Sequence, residues 1–145
     1  MPLNKGMFKT TCSLSFERGN LVALVEPDLL KYLYWLVQKG TYNCYPLQTP
    51  AFKPHVTIVS KYHHGVTQAN IAGKLYHGKQ ITFEYDPTEI FKGGESRNFI
   101  NFWMKMYSNK ADRIKKNVKA KDKRFLGYHL TICNTKNYVN SYKKT

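Results

Sequence analysis

Polar and apolar residues alternate in "MFKTTCSLSF" (7–16) and again in "NLVALV" (20–25). A period of two puts every second side chain on one face of a strand, so both segments are predicted strands, with "ERGN" (17–20) as the turn between them. The period then changes. In "EPDLLKYLYWLVQKG" (26–40) Leu29, Leu33 and Leu36 recur at helical spacing, Pro27 and Asp28 stand at the start, and Gly40 marks the stop. "TYNCYPLQTPAF" (41–52) is a proline-punctuated loop leading to a short strand, "PHVTIV" (54–59). "KYHHGVTQ" (61–68) reads as a loop, "QANIAGKLYHG" (68–78) as a helix weakened by Gly73, and "QITFEY" (80–85) as a strand.

"DPTEIFKGGESR" (86–97), with its proline and paired glycines, is predicted to be a loop and the most mobile segment. In "NFINFWMKMY" (98–107) one parity, Ile100, Phe102, Met104 and Met106, is wholly apolar, while the other, Phe99, Asn101, Trp103 and Lys105, is mixed. That is a strand with one core face and one face toward a cleft. "NKADRIKKNVK" (109–119) is a predicted helix, "YHLTIC" (128–133) a strand, and "NYVNSYKK" (137–144) an edge strand or tail. No composition shift marks a linker, so residues 1–145 form a single α+β domain, with two similar lobes as its expected organisation.

Two of the predicted strands nearly repeat each other. His55–Val56–Thr57–Ile58 and His129–Leu130–Thr131–Ile132 lie 74 positions apart in a chain with five histidines. Alternation sends Val56 and Ile58 one way and His55 and Thr57 the other, and the same holds for Leu130 and Ile132 against His129 and Thr131. Were the two strands neighbours, two imidazoles and two hydroxyls would meet on one surface. That set suits metal-free phosphodiester chemistry. One imidazole takes a proton from the attacking hydroxyl or water and the other gives one to the leaving oxygen, because histidine holds both protonation states near pH 7. The threonine hydroxyls can hold the non-bridging phosphate oxygens.

Charge points the same way. Lys and Arg number 23 against 9 Asp and Glu, a net charge of +14, and such a field draws in polyanions. The excess peaks at residues 105–124, with nine basic residues and two acids. Trp103 and Tyr107 share a parity with Lys105, which suits a base-stacking ring beside a phosphate contact; the alternative for Trp103 is a lid on the core edge. Lys61 and Tyr62 are further substrate-binding candidates. His63, His64 and His77 lack the carboxylate or cysteine company of a metal site, so no metal and no cofactor is expected. Cys12, Cys44 and Cys133 form no CxxC pair and read as small buried residues or spectator thiols. The start, "MPLNKGMFKTTC", has no long apolar stretch, and no run reaches the roughly 18 residues of a membrane span. A cytoplasmic monomer with no membrane partner is the expectation.

The paired pattern hydrophobic-His-x-Thr-hydrophobic resembles the signature of the 2H phosphoesterase superfamily, which includes LigT-like RNA ligases and cyclic phosphodiesterases. "LVALVEPDLLKYLYWLV" and "PAFKPHVTIV" also look like small phage-encoded members, some of which destroy the cyclic oligonucleotide signals of bacterial (CBASS) immunity. The resemblance implies a two-lobed fold with pseudo-twofold symmetry, antiparallel sheets around a central groove, and His55, Thr57, His129 and Thr131 as catalytic residues. It implies cleavage of a cyclic oligonucleotide or RNA-like substrate, in the host cytoplasm if a phage encodes the chain. Processing of RNA ends, by opening 2′,3′-cyclic phosphates or acting on 2′,5′ linkages, and a non-catalytic RNA-binding groove are the two other readings. Pro54 departs from the pattern, since a residue without an N–H belongs at a strand end or bulge.

Overall fold

The computed structural model describes residues 7–41, 47–48, 53–93, 100–121 and 127–135. It is a mixed α/β fold of three helices and one antiparallel sheet. The strands are β1 (Phe8–Glu17), β2 (Asn20–Leu24), β3 (Leu47–Gln48), β4 (His55–Val59), β5 (Gln80–Gly93), β6 (Asn101–Tyr107) and β7 (Tyr128–Thr135). They run in the order β3-β7-β4-β2-β1-β5-β6, and β6 also pairs with β7, so six of them close into a barrel.

Alternation decides which face turns inward. Cys12 and Leu14 of β1, Leu21 and Ala23 of β2, Val56 and Ile58 of β4, Ile81 and Phe83 of β5, Met104 and Met106 of β6, and Leu130 and Ile132 of β7 are buried in one core. The opposite parity leaves Thr11, Ser13, Thr82 and His129 exposed, so the polar face is the one open to solvent. Helix residues Leu33, Ala69 and Ile114 belong to the same cluster, so the buried face of the sheet is the one the helices cover. Burial pushes the thiols of Cys12 and Cys133 up to about 11 and about 12, which makes them inert core residues. Cys44 and residues 137–144 lie outside the described residues.

Helix α1 (Pro27–Thr41) buries Leu30, Leu33 and Val37, one position round from the expected stripe, while Leu29 and Leu36 are its partly buried flanks. Helix α2 (Val66–Tyr76) starts two residues before the expected Gln68 and packs on β1, β2 and β4 through Ala69, Ala72 and Gly73. Gly73 admits this contact, since a Cβ there would lie 2.3 Å from the Phe16 ring. Helix α3 (Asn109–Asn117) opens on Ser108, whose hydroxyl accepts from the Ala111 N–H at 3.1 Å, and it buries Ala111 and Ile114.

The segment expected to be a loop over 86–97 is different in its described part. Strand β5 continues to Gly93, with its pairing to β6 irregular between Tyr85 and Ile90. The Asp86 carboxylate accepts from both the N–H and the hydroxyl of Thr88, at 2.9 and 2.7 Å, and so satisfies a local bulge that lets the ladder resume at Ile90. Pro87 and Gly93 lie within this bulged strand, and residues 94–97 of the expected loop lie outside the described residues.

The β1–β2 hairpin turns through Arg18 and Gly19, both in the left-handed region at φ 55° and 82°. This is the two-residue geometry that matches strand twist. Pro54 immediately precedes β4, and its carbonyl accepts from the Val25 N–H at 2.9 Å, so the missing proline N–H falls at the strand end. No described helix is long and apolar enough to cross a membrane.

Candidate active site

Strands β4 and β7 are neighbours. Val56 pairs with Leu130, and one residue to either side of that bridge sets His55 across from Thr131 and Thr57 across from His129. Val56 and Leu130 are fully buried, which leaves all four polar side chains on the opposite face, with His129 exposed and the other three half-buried. The two imidazoles are then diagonal neighbours, roughly 7–8 Å apart at their backbones, a spacing that admits a phosphate between ring tips.

The pairing continues on both sides as two parallel rows. One runs Lys105, His129, Thr57, Val22, Ser15, and the other runs Phe91, Trp103, Thr131, His55, Leu24, Ser13. Trp103 therefore lies beside Thr131, and its ring meets His129 edge to face at 5.9 Å. Phe91 stacks on the far side of Trp103 at 4.8 Å and is 42% exposed. The result is an aromatic ledge next to the imidazoles. Phe91 had no visible role in the sequence because it fell in the expected loop.

Each histidine has its own surroundings. The Nδ1 of His55 lies 2.7 Å from the Lys53 carbonyl. A carbonyl only accepts, so Nδ1 carries the hydrogen and Nε2 is the nitrogen available to a substrate. His129 is exposed at its rim, yet packing around the ring desolvates it; that desolvation, followed by the positive charge of His55, lowers its pKa below the ordinary 6.5. His129 thus favours the neutral form that a general base requires.

A depression of about 170 Å³ beside His129 and Thr57 is also lined by Asn20, Ser60, His63, His64 and Lys115. The Nδ1 of His64 accepts from the Ser60 N–H at 2.8 Å, while the His64 N–H donates to the Ser60 carbonyl, so this turn is locked. Lys115 of α3 reaches over the Tyr128 ring at 4.6 Å. Among the described residues it is the one member of the basic 105–124 segment that lines this depression.

The other candidates are more spread out. Lys105 is opposite His129, with its ammonium 5.8 Å from the Tyr107 ring centre. The Tyr107 hydroxyl donates to Glu89 at 3.1 Å, and burial, then this carboxylate, raises its pKa. Tyr107 lies one step beyond Lys105 along β6, away from the imidazoles. Lys61 and Tyr62 follow β4 and stand outside the depressions around the histidines. The Lys61 chain folds against Gly19, its N–H donates to Asn20 at 2.9 Å, and Tyr62 is 77% exposed. His77 is occupied elsewhere, its Nδ1 accepting from the Phe16 N–H at 3.0 Å.

Among the described residues no group of three His, Cys, Asp or Glu is placed to hold a metal ion. Set against protein-family models, curated proteins and solved structures, the chain matches none of them.

Proposed function

We propose that this protein is a phosphodiesterase that cleaves a cyclic oligonucleotide or RNA-like substrate by two-histidine acid–base catalysis, without a metal ion. The observation that carries this is the β4–β7 register, which gathers His55, Thr57, His129 and Thr131 on the face of the sheet opposite the core. Matching motifs in symmetric antiparallel register also have a local twofold axis between Val56 and Leu130. This supports reading the closed sheet as a compact form of the two-lobed 2H fold.

His129, held toward its neutral form, takes the proton from a ribose 2′-hydroxyl or a water. The oxygen attacks phosphorus, the bond to the leaving oxygen breaks, and His55 in its protonated form supplies that oxygen with a proton from Nε2. Attack by a 2′-hydroxyl ends in a 2′,3′-cyclic phosphate, which water opens with the two roles exchanged. Thr57 and Thr131, each opposite an imidazole, hold the non-bridging oxygens. Trp103, backed by Phe91, offers a face to the adjoining base.

The test is incubation with EDTA and a panel of cyclic di- and trinucleotides, 2′,5′-oligoadenylate and RNA ending in a 2′,3′-cyclic phosphate. Turnover of the cyclic oligonucleotides supports an immune-signal nuclease, and turnover of the last two alone supports RNA-end processing. Binding without turnover of any of them would reduce the chain to a nucleic-acid-binding module.

A further inference from the structure

A second cavity, of about 330 Å³, opens on the other side of His55 and is lined by Glu17, Arg18, Asn20, Val22, Leu24, Lys53 and His55. Its layout follows from the β2 register. Leu24 lies opposite His55, whereas Glu17 pairs with Asn20 at the hairpin turn, so the cavity runs along β2 from the histidine to Arg18. Cations stand at both ends, Lys53 with His55 and Arg18 at the turn. Val22 and Leu24 form an apolar floor between them. Val22, flanked by Ser15 and Thr57, is only 5% exposed, so half-buried Leu24 offers most of the apolar surface.

The backbone at Arg18 adds a second observation. A two-residue turn of this hand favours Asn, Asp or Gly at its first position, yet an arginine occupies it at φ 55°. An unfavourable conformation kept by a long cationic residue on the wall of a cavity is what a binding role would retain.

We infer that this cavity is the subsite for the nucleotide next to the scissile phosphate. The scissile phosphate lies at His55 and Lys53, the ribose and base lie on Val22 and Leu24, and the next phosphate pairs with Arg18. Glu17, whose Oε2 already accepts from the Ser15 hydroxyl at 2.8 Å, is the acceptor for a ribose hydroxyl. The substrate is accordingly an oligonucleotide that carries a phosphate on each side of one nucleoside, and a lone terminal phosphate leaves half of the site empty. This rests on the phosphodiesterase reading for the position of the scissile phosphate.

The test is calorimetric titration with adenosine 3′,5′-bisphosphate, adenosine 3′-monophosphate, adenosine 5′-monophosphate and inorganic phosphate, against wild type, Arg18→Gly and Arg18→Lys. The bisphosphate should bind about tenfold tighter than either monophosphate or inorganic phosphate, because it engages both ends. Arg18→Gly should abolish that advantage with the hairpin retained, since glycine adopts φ 55° without strain. Arg18→Lys should keep most of it. Equal binding of bisphosphate and monophosphates, or an Arg18→Gly variant that binds as wild type, overturns the subsite. The readout needs no turnover, so an inactive protein that shows the Arg18-dependent difference refutes the proposed chemistry and leaves the subsite standing.

Discussion

Gly73→Ala sets two known effects against each other. Alanine in a helix interior is favoured over glycine by about 0.8–1 kcal/mol, so propensity alone predicts a more stable protein. The packing says otherwise. The new methyl would lie 2.3, 2.6 and 3.0 Å from Cδ1, Cγ and Cε1 of Phe16, where carbon atoms normally approach to roughly 3.5–4.0 Å. Relief requires a displacement of more than about 1 Å of either the helix or the ring. The helix end cannot slide freely. The Phe16 N–H is bonded to His77, the Gly78 N–H to the Leu14 carbonyl, and the Leu14 N–H to the Lys79 carbonyl, at 3.0, 2.8 and 2.7 Å. The strain therefore falls on the Phe16 rotamer. Overpacking costs about 1–3 kcal/mol and an off-rotamer ring about 0.5–1.5, so after the helical gain the net loss is about 1–3 kcal/mol. For a chain of this size that lowers the melting temperature by roughly 3–12 °C. Urea titration and thermal melts followed by circular dichroism measure both quantities. Adding Phe16→Leu should restore part of the loss, as expected for two residues in direct contact. A Gly73→Ala variant that melts at or above the wild-type temperature would refute the argument from close approach.

His55→Ala and His129→Ala should each lower turnover of the identified substrate by about 10²–10⁴-fold with the melting temperature nearly unchanged, since both rings stand on the face of the sheet opposite the core. A variant with near-normal kcat would remove that residue from the mechanism. The His129 ring resonances should titrate below pH 6.5, and His55→Ala should move the midpoint up while leaving it below 6.5, because burial is the larger cause. The folded chain binds fewer protons there than the unfolded chain, so stability should fall as pH drops from 6.5 through the lowered value; a flat profile would contradict the shift. The rate itself should peak between two apparent pKa values that belong to the coupled pair, and a rate rising steadily through pH 9 would show that no protonated histidine is needed. Neutralising the exposed Lys116 and Lys119 should lower kcat/KM at low salt and leave kcat alone, whereas Lys115→Ala, beside His129, should raise KM at all salt concentrations.

By itself the sequence determined the parity of its strands. Val56, Ile58, Leu130 and Ile132 had to face a core, so His55, Thr57, His129 and Thr131 had to face away from it, whatever the strands paired with. It also located the three helices, the first of them through Pro27, Asp28, Gly40 and its leucine spacing, because these signals act within a turn or two of chain. Pairing between distant segments is another matter. That β4 and β7 are neighbours, and that Val56 meets Leu130 in a register setting each imidazole against a threonine, depends on how seven strands share one sheet. A slip by two residues would have kept the same faces and set each imidazole against a different neighbour. The fate of residues 86–93 was likewise decided at a distance. Pro87 and the paired glycines speak for a loop locally, but β6 offers Met104 and Trp103 as partners for Ile90 and Phe91, and a bulge closed by Asp86 and Thr88 lets the ladder resume. The cavity beside His55 depends on the same long-range pairing, since it unites a hairpin turn and a strand with Lys53, which is 29 residues beyond Leu24. Local chemistry chose the outward residues, and only the closure of the barrel brought them together.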